Sequence, residues 1–242
     1  KSADVLVFDC SVNHPARVKG WWVYQFDYDR HQQDFVLLQL VRDPWLPVVY
    51  LGFVLMVLGA LIKVRQAWLG WKVLPIAVVL TIVFAVLSLI RIEFGTLVPA
   101  LRSLWFFPHV LIYMVAYSLL FIALVMSVVA LVKQRKNFNK SRQCGLAAKR
   151  LLVTVSSLLL IGMLCGAVWA KDAWGDYWMW DAKECWAAVT WLITIAGQHM
   201  CSRKSSDKQV FVLILVTFFA MQITWYGVNY LPSAQSSMHT YN

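Results

Sequence analysis

Tryptophans crowd one short stretch of the chain. Six of the 13 tryptophans lie between residues 169 and 191, and the run from 174 to 184 reads WGDYWMWDAKE. Tryptophan is enriched at the headgroup level of membranes, so an interfacial belt is one explanation. A dense block interleaved with acids and lysines favours another: a flat aromatic platform for a large planar ligand with a charged edge. The residues predicted to form this platform are Trp174, Trp178, Trp180 and Asp181.

Two histidines flank apolar segments of the chain. His109 follows Pro108 at the start of one such segment, and His239 lies in the tail beyond the last one. A single interfacial histidine is usually a solvated bystander, but two imidazoles beside an aromatic platform suggest a metal-containing macrocycle. Histidine is the usual axial ligand of haem iron, and haem propionates need cationic partners. We therefore predict haem binding with His109 and His239 as axial ligands. The cations available for the propionates are Arg91, Arg102, Lys171 and Lys183.

His199 is a separate case because it lies deep in an apolar segment. It is about 14 residues into the stretch 185–202, which corresponds to about 21 Å of helix. Ionisable residues at such depth are functional candidates by default. Two alternatives stay open: either His199 snorkels to the inner interface, or its partner lies on a portion of the protein upstream of Lys1. His14 and His31 are not available as deep partners, since both fall in the N-terminal segment.

The composition indicates what positions these residues. The 242-residue chain is 60% hydrophobic and 14% charged, against about 25% charged in soluble domains. This excludes a disordered chain, a disulfide scaffold and an ordinary cytosolic enzyme. A bilayer core needs about 20 apolar residues per helix, so we predict an all-α polytopic membrane protein with about six transmembrane helices. The predicted spans are 44–62, 73–90, 103–132 with its helix starting at about 107, 151–170, 185–202 and 209–231.

The basic residues are unevenly distributed between the loops. The net charge is +10, and loops 63–72, 133–150 and 203–208 hold 13 of the 22 basic residues but one of the 12 acids. By the positive-inside rule these loops are cytoplasmic, so the charge reports orientation and predicts no nucleic-acid partner. Residues 1–43, 91–106, 171–184 and 232–242 then lie outside. His109, His239 and the tryptophan-rich loop therefore share the external face.

The N-terminal segment has a different periodicity from the rest. Residues 4–9 and 21–28 alternate with period two, with Trp22, Tyr24, Phe26 and Tyr28 on one face, which predicts β-strands. Because 43 residues cannot bury a core alone and the chain lacks an initiator Met, we expect upstream strands and spans. The five cysteines form no CxxC pair, which predicts small core residues.

The run WGDYWMWDAKE resembles the WGxxWxWDxKE signature of the tryptophan-rich ("WWD") cytochrome c assembly proteins. The tail GVNYLPSAQSSMHTY (227–241) resembles the end of system II CcsA or ResC. The stretches VNHPARVKGWWVYQFDYD (12–29) and RDPWLPVVYLGF (42–53) are similar to the closing part of CcsB or ResB. The chain thus resembles the C-terminal part of a fused CcsB–CcsA cytochrome c synthase. This implies a ResB-like external β domain ending in 1–43, a helix 44–62 closing that part, and a CcsA-like membrane domain 63–242 with the WWD loop at 171–184.

The resemblance also implies roles for individual residues. His109 and His239 match the external pair that holds haem at the WWD loop. His199 matches a membrane histidine that forms an inner haem site with a partner in the CcsB-like portion. Ala182 stands where the family commonly has Pro, which loosens the turn after Asp181.

The activity implied by the resemblance is that of part of a holocytochrome c synthase, or haem lyase. Haem would be joined through thioether bonds to the CxxCH thiols of apocytochrome c, with thiol-reducing proteins among the partners. The implied location is the bacterial inner membrane, with the functional loops on the periplasmic side.

Two alternatives are weighed against this function. One is a haem-delivery protein that hands haem to a chaperone; the CcsB-like first 60 residues argue against it. The other is a cofactor-free secondary transporter, which predicts polar or broken helices at the middle of the membrane. The spans are nearly free of internal charge, so we favour the haem-handling function.

Overall fold

The computed structural model describes residues 8–28, 36–67, 78–79, 82, 99–202 and 206–232. A small antiparallel sheet precedes a set of long helices. The strands are β1 (Ala16–Val18), β2 (Trp21–Tyr28) and β3 (Val36–Val41). The helices are α1 (Leu46–Ala67), α2 (Phe106–Lys133), α3 (Phe138–Trp174), α4 (Ala182–Ser202) and α5 (Asp207–Trp225), with 3-10 turns at Pro99–Arg102 and Gly227–Tyr230.

Four helices of the described part are long and apolar enough to cross a membrane. They are Leu46–Ala67, Phe106–Lys133, Phe138–Trp174 and Lys208–Trp225. The predicted fold class, a polytopic α-helical membrane protein with a short N-terminal β segment, is confirmed. The predicted span 185–202 is helical but falls outside this set, because Gln198, His199 and its threonines and tryptophans lower its mean hydropathy. The predicted span 73–90 lies outside the described residues except at positions 78, 79 and 82.

Helices α1 to α4 are longer than the predicted spans, and α5 is shorter. Helix α2 begins at Phe106, as expected from Pro108. Helix α3 begins at Phe138 instead of 151, since the Asn137 side chain accepts a hydrogen bond from the Lys140 amide at 3.0 Å and caps it. The expectation of a loop over 133–150 is therefore wrong: lysine and arginine are good helix formers, and their charge reports topology only. By contrast, the predicted span 209–231 ends as an α-helix already at Trp225.

The sheet has the order β1–β2–β3. Lys19 (φ 49°) and Gly20 (φ 86°) form the two-residue turn between β1 and β2, with the positive φ angles that match strand twist. Strand β2 has the predicted bounds, but a register shift between Gln25 and Asp27 interrupts the alternation. The single face predicted for Trp22 through Tyr28 is therefore not continuous, because one extra residue reverses the sides.

Two other predictions for the N-terminal segment differ from the structure. The strand expected at 4–9 is wrong where it is described, since Phe8 and Asp9 are not in a strand. Strand β3 was not predicted, because its sequence VLLQLV has no polar–apolar alternation.

Helices α2, α3 and α5 form the core. Buried side chains from all three meet there, among them Tyr117, Leu120, Leu152, Ile214 and Met221. The approach of α2 to α3 depends on two glycines of α3. A Cβ at Gly162 would lie 2.9 Å from the Tyr113 ring, and one at Gly166 would lie 2.7 Å from the His109 ring. Small residues let helices pack this closely in membranes.

The N-terminal segment packs beside α3. Helix α1 lies along α3, and β2 also contacts α3. The Phe53 ring of α1 meets the Tyr177 ring edge-on at 5.9 Å, so the strands and α1 lie against the connection between α3 and α4. The cysteines Cys10, Cys144, Cys165 and Cys185 are half-buried free thiols.

Candidate functional site

The connection between α3 and α4 is the tryptophan loop, residues 175–181. Gly175 (φ 92°) ends α3, and its amide donates to the Lys171 carbonyl at 3.0 Å. At the other end the Glu184 amide donates to Asp181 Oδ1 at 2.8 Å, and the Asp181 amide donates to Glu184 Oε2 at 3.3 Å. This reciprocal pair is a capping box. The loop predicted at 171–184 is thus shorter, and Asp181 begins a helix.

The tryptophans of the loop differ in exposure. Trp174 is 6% exposed and Trp180 is 78% exposed, while Trp178 is half-buried. The Trp178 and Trp180 rings meet at 81° with centroids 6.0 Å apart. The prediction of a single flat platform is therefore wrong, since neighbouring loop residues project in different directions. Trp180 also has a φ of 60°, a left-handed conformation that is costly for a bulky side chain and recurs at functional sites.

Trp169 and Trp174 form a buried aromatic layer beneath the loop. Their ring centroids are 5.1 Å apart, and the Trp169 Nε1–H donates to the Ala100 carbonyl at 2.8 Å. Phe106, at the start of α2, packs on Trp169 at 5.1 Å. This layer joins the 3-10 turn at Pro99–Arg102, the start of α2 and the end of α3.

His109 lies against this layer. Its ring is 5.8 Å from Trp169 and 4.9 Å from Tyr113. Its Nδ1 is 2.8 Å from the Gly162 carbonyl oxygen. Because a carbonyl only accepts, Nδ1 carries the hydrogen, and in the neutral ring the lone pair lies on Nε2. The structure thus places one predicted haem ligand beside the tryptophan layer, with a defined tautomer.

The structure does not bring His199 to this site. His199 is exposed near the opposite end of α4 from the loop. His239 lies outside the described residues. The pairing of His109 with His239, and the partner of His199, stay predictions.

The predicted propionate partners are in different environments. Lys171 is buried, and its Nζ is 3.7 Å from Asp43. Arg102 is exposed on the 3-10 turn, and Arg91 lies outside the described residues. Lys183, in the first turn of α4, has its pKa lowered by burial, partly offset by Asp181. Lys183 follows the loop directly, two residues beyond Asp181.

Tyr24 of β2 and Tyr177 of the tryptophan loop both lie beside Lys171. Burial, and to a smaller extent Asp172, raises the pKa of Tyr24 to about 12. Burial also raises the pKa of Tyr177. Both phenols therefore stay neutral at physiological pH, and their rings lie beside the ammonium of Lys171.

Trp169, Gly162 and Gly166 were missed as site residues by the sequence argument. A signal for them exists: residues 162, 166, 169 and 173 follow helical spacing and share one face of α3. On α2, residues 106, 109, 113 and 117 do the same. The site lies where these two faces meet.

The sequence profile of the family described as cytochrome C assembly protein matches residues 45–234. The chain belongs to this family. The match covers the five helices of the described residues, so this membrane protein has a role in cytochrome c biogenesis. Residues 1–44 lie outside the match, and the CcsB-like interpretation of the N-terminal segment therefore stays a prediction.

Several proteins named cytochrome c biogenesis protein CcsA are similar to this cytochrome c assembly protein. That of Porphyra purpurea is 31% identical over 228 residues, covering 74% of this chain and 70% of the relative. That of Guillardia theta is 34% identical over 172 residues, covering 60% and 56%. That of Marchantia polymorpha is 31% identical over 229 residues.

Proposed function

We propose that the chain binds haem at the outer end of α2, beside the tryptophan loop, and presents it for thioether attachment to CxxCH apocytochrome c. One observation supports this most: His109 is held against Trp169 by a hydrogen bond from Nδ1 to the Gly162 carbonyl. A histidine fixed in this way has its lone pair on Nε2, the nitrogen that would ligate iron. Haem-ligating histidines commonly have their other nitrogen bonded to a carbonyl or carboxylate.

The surrounding residues fit a haem substrate. The macrocycle needs apolar surface, which the exposed Trp180 ring offers, while Met179 of the loop packs on the buried Trp169–Trp174 layer. Its propionates need a cation, for which Lys183 is proposed. His239 is proposed as the second axial ligand, because the sequence places it on the same external face.

The chemistry proposed for this site demands positioning more than acid–base catalysis. Each cysteine S–H adds across a vinyl double bond, so that sulfur joins one vinyl carbon and hydrogen joins the other, with no net oxidation of either group. The chain's part is to hold the vinyl edge beside the incoming thiols. The CxxCH histidine then replaces one of the chain's own axial imidazoles.

The proposal extends to the location of the chain, a second haem site and the partner proteins. We place the chain in the bacterial inner membrane with the tryptophan loop on the periplasmic side. His199 would form an inner haem site with a partner on an upstream CcsB-like portion. Thiol-reducing proteins would keep the apocytochrome cysteines ready for attachment.

An absorption spectrum tests the proposal directly. We expect the purified intact protein to show a Soret band, which is lost in His109→Gly and restored by free imidazole. His14→Gly, an exposed histidine of the N-terminal segment, is the matched control and should keep the band. A colourless protein from haem-replete cells would refute the proposal and favour a cofactor-free transporter. A wild-type spectrum in His109→Gly without imidazole would exclude His109 as a ligand.

A further inference from the structure

A buried lysine lies just before the tryptophan loop. The Lys171 side chain is 6% exposed, and its Nζ is 3.7 Å from Asp43 Oδ2. The same ammonium lies 4.9 Å from the centroid of the Tyr177 ring and 5.9 Å from that of Tyr24. Burial of an ammonium is costly unless the charge is paired, so this arrangement is specific rather than incidental. Cation–π contacts are also strongest when the cation is desolvated.

The four groups of this cluster come from four different segments. Tyr24 is on β2, Asp43 precedes α1, Lys171 is in the last turn of α3, and Tyr177 is in the tryptophan loop. The N-terminal segment is residues 8–67. It therefore contacts the region of the loop through the buried ammonium of Lys171, which belongs to α3.

Further contacts hold the first half of the loop to the N-terminal segment. Gln39 Nε2 on β3 donates to Asp176 Oδ2 at 2.9 Å. A Cβ at Gly175 would lie 3.0 Å from Tyr24 Cδ2 and 3.3 Å from Gln39 Oε1, so the loop backbone is in direct contact with the strands. The ring of Phe53, on α1, adds the edge-on contact with Tyr177.

The cluster is connected to the proposed haem ligand by packing. Lys171 lies between Trp169 and Trp174 in the sequence, and those two rings pack on each other at 5.1 Å. Trp169 in turn contacts His109. A shift at Lys171 would therefore move the aromatic layer against which the imidazole lies.

We propose that Lys171 is a positioning residue that fastens the N-terminal segment to the tryptophan loop, so that the loop holds haem fully only while that segment is docked. The haem half of this inference rests on the proposed function. The fastening half does not, because it concerns contacts within the chain. Removal of one partner of a buried ion pair leaves the other charge uncompensated, so the segment and the loop would separate.

The fastening is tested by hydrogen exchange of the loop amides in the purified intact protein. In Lys171→Met and in the nearly isosteric Asp43→Asn, we expect amides in 175–181 to exchange at least about tenfold faster, a smaller effect than for a fully buried pair because Asp43 is partly exposed. The double variant should exchange no faster than the single ones, since both remove one interaction. Lys171→Arg, which keeps the charge, should restore slow exchange. Lys19→Met, an exposed lysine of the N-terminal segment, is the matched control.

The haem half is tested on the same variants by Soret absorbance per protein and by the midpoint potential. We expect Lys171→Met and Asp43→Asn to lose haem and shift its potential, and Lys171→Arg to resemble wild type. If the Lys171→Met protein does not accumulate, the Asp43→Asn variant tests the same ion pair. Unchanged exchange in both would overturn the inference. Fast exchange with unchanged haem occupancy and potential would overturn its haem half. If the wild-type protein carries no haem, the proposed function is refuted. Fast exchange in Lys171→Met and Asp43→Asn would still support the fastening.

Discussion

The position of the His109 imidazole depends on two glycines of α3. His109 occupies the space that a side chain at Gly166 would fill, and its Nδ1 bonds to the carbonyl of Gly162 one turn earlier on α3. The Gly162 carbonyl and the absent Cβ of Gly166 thus act together: the carbonyl fixes the tautomer, and the missing Cβ lets the ring approach. Backbone atoms of a neighbouring helix therefore help to set the position of His109.

The first prediction at this scale is that Gly166→Ala displaces His109. The new Cβ would lie 2.7 Å from both Cε1 and Nδ1 of the ring, so the imidazole or the helix must move. We expect a weaker Soret band and a shifted haem potential, measured on the purified protein. Gly59→Ala is the matched control, since a Cβ at Gly59 meets nothing within 4 Å. Identical spectra for Gly166→Ala and Gly59→Ala would show that the His109 ring does not lie against Gly166.

Individual residues were predictable from sequence where chemistry alone identifies them. His109 and the tryptophan run stood out by type and spacing. Trp169 was counted among the tryptophans but not as part of the site, because its contact with His109 depends on how α2 and α3 pack. Lys171 was one of four cations that the sequence offered for a propionate, and the structure places it buried beside Asp43. Sequence gives the charge of a lysine, whereas its partner is set by tertiary contacts.

At the scale of elements, the acids of the WDAKE run act on the backbone. Asp181 caps α4, and Glu184 accepts hydrogen bonds from the amides of Asp181 and Met179. The capping box therefore fixes where the tryptophan loop ends and helps to hold Trp180 in its left-handed conformation. The loop is short because both of its ends are determined by helix caps.

The second prediction separates a capping role of Asp181 from a ligand-binding charge. Asp181→Asn keeps the oxygen acceptor and should leave the unfolding temperature and the haem spectrum close to wild type. Asp181→Ala loses the cap, which costs about 1 kcal/mol and should lower the melting temperature by about 2 to 4 °C. Loss of haem in Asp181→Asn with unchanged melting would instead show that the charge faces the substrate.

Element existence was more predictable than element ends. The apolar runs gave α1, α2 and α5 and the correct start of α2, but α3 extends beyond its apolar run in both directions. Basic residues at 140–150 and the WAKDAW stretch continue the helix until Gly175 stops it. Hydropathy predicts the part of a helix that contacts lipid. The ends of the helix are set by capping residues, here Asn137 and Gly175.

In the described part of the molecule, the basic residues around the turn between α2 and α3 and the proposed haem site lie at opposite ends of α3. The capped turn 134–137 between α2 and α3 is flanked by lysines and arginines, while the tryptophan loop, His109, the strands and the first half of α1 lie toward the other end of α3. The fold class followed from composition because the number of apolar runs determines a polytopic protein. The docking of the N-terminal segment did not follow, since its contacts with the loop join residues more than 100 positions apart, as Gln39 and Asp176 do.

The third prediction is that these two ends face opposite sides of the membrane. After replacement of the five native cysteines, Arg102→Cys should react with a membrane-impermeant thiol reagent in intact cells, because the exposed 3-10 turn adjoins the tryptophan loop. Lys136→Cys, exposed in the turn between α2 and α3, should react only after permeabilisation, as the positive-inside rule requires. Retained haem in the cysteine-free parent is the folding control. Labelling of Lys136→Cys but not Arg102→Cys in intact cells would invert the topology, and haem would then have to meet apocytochrome on the cytoplasmic side.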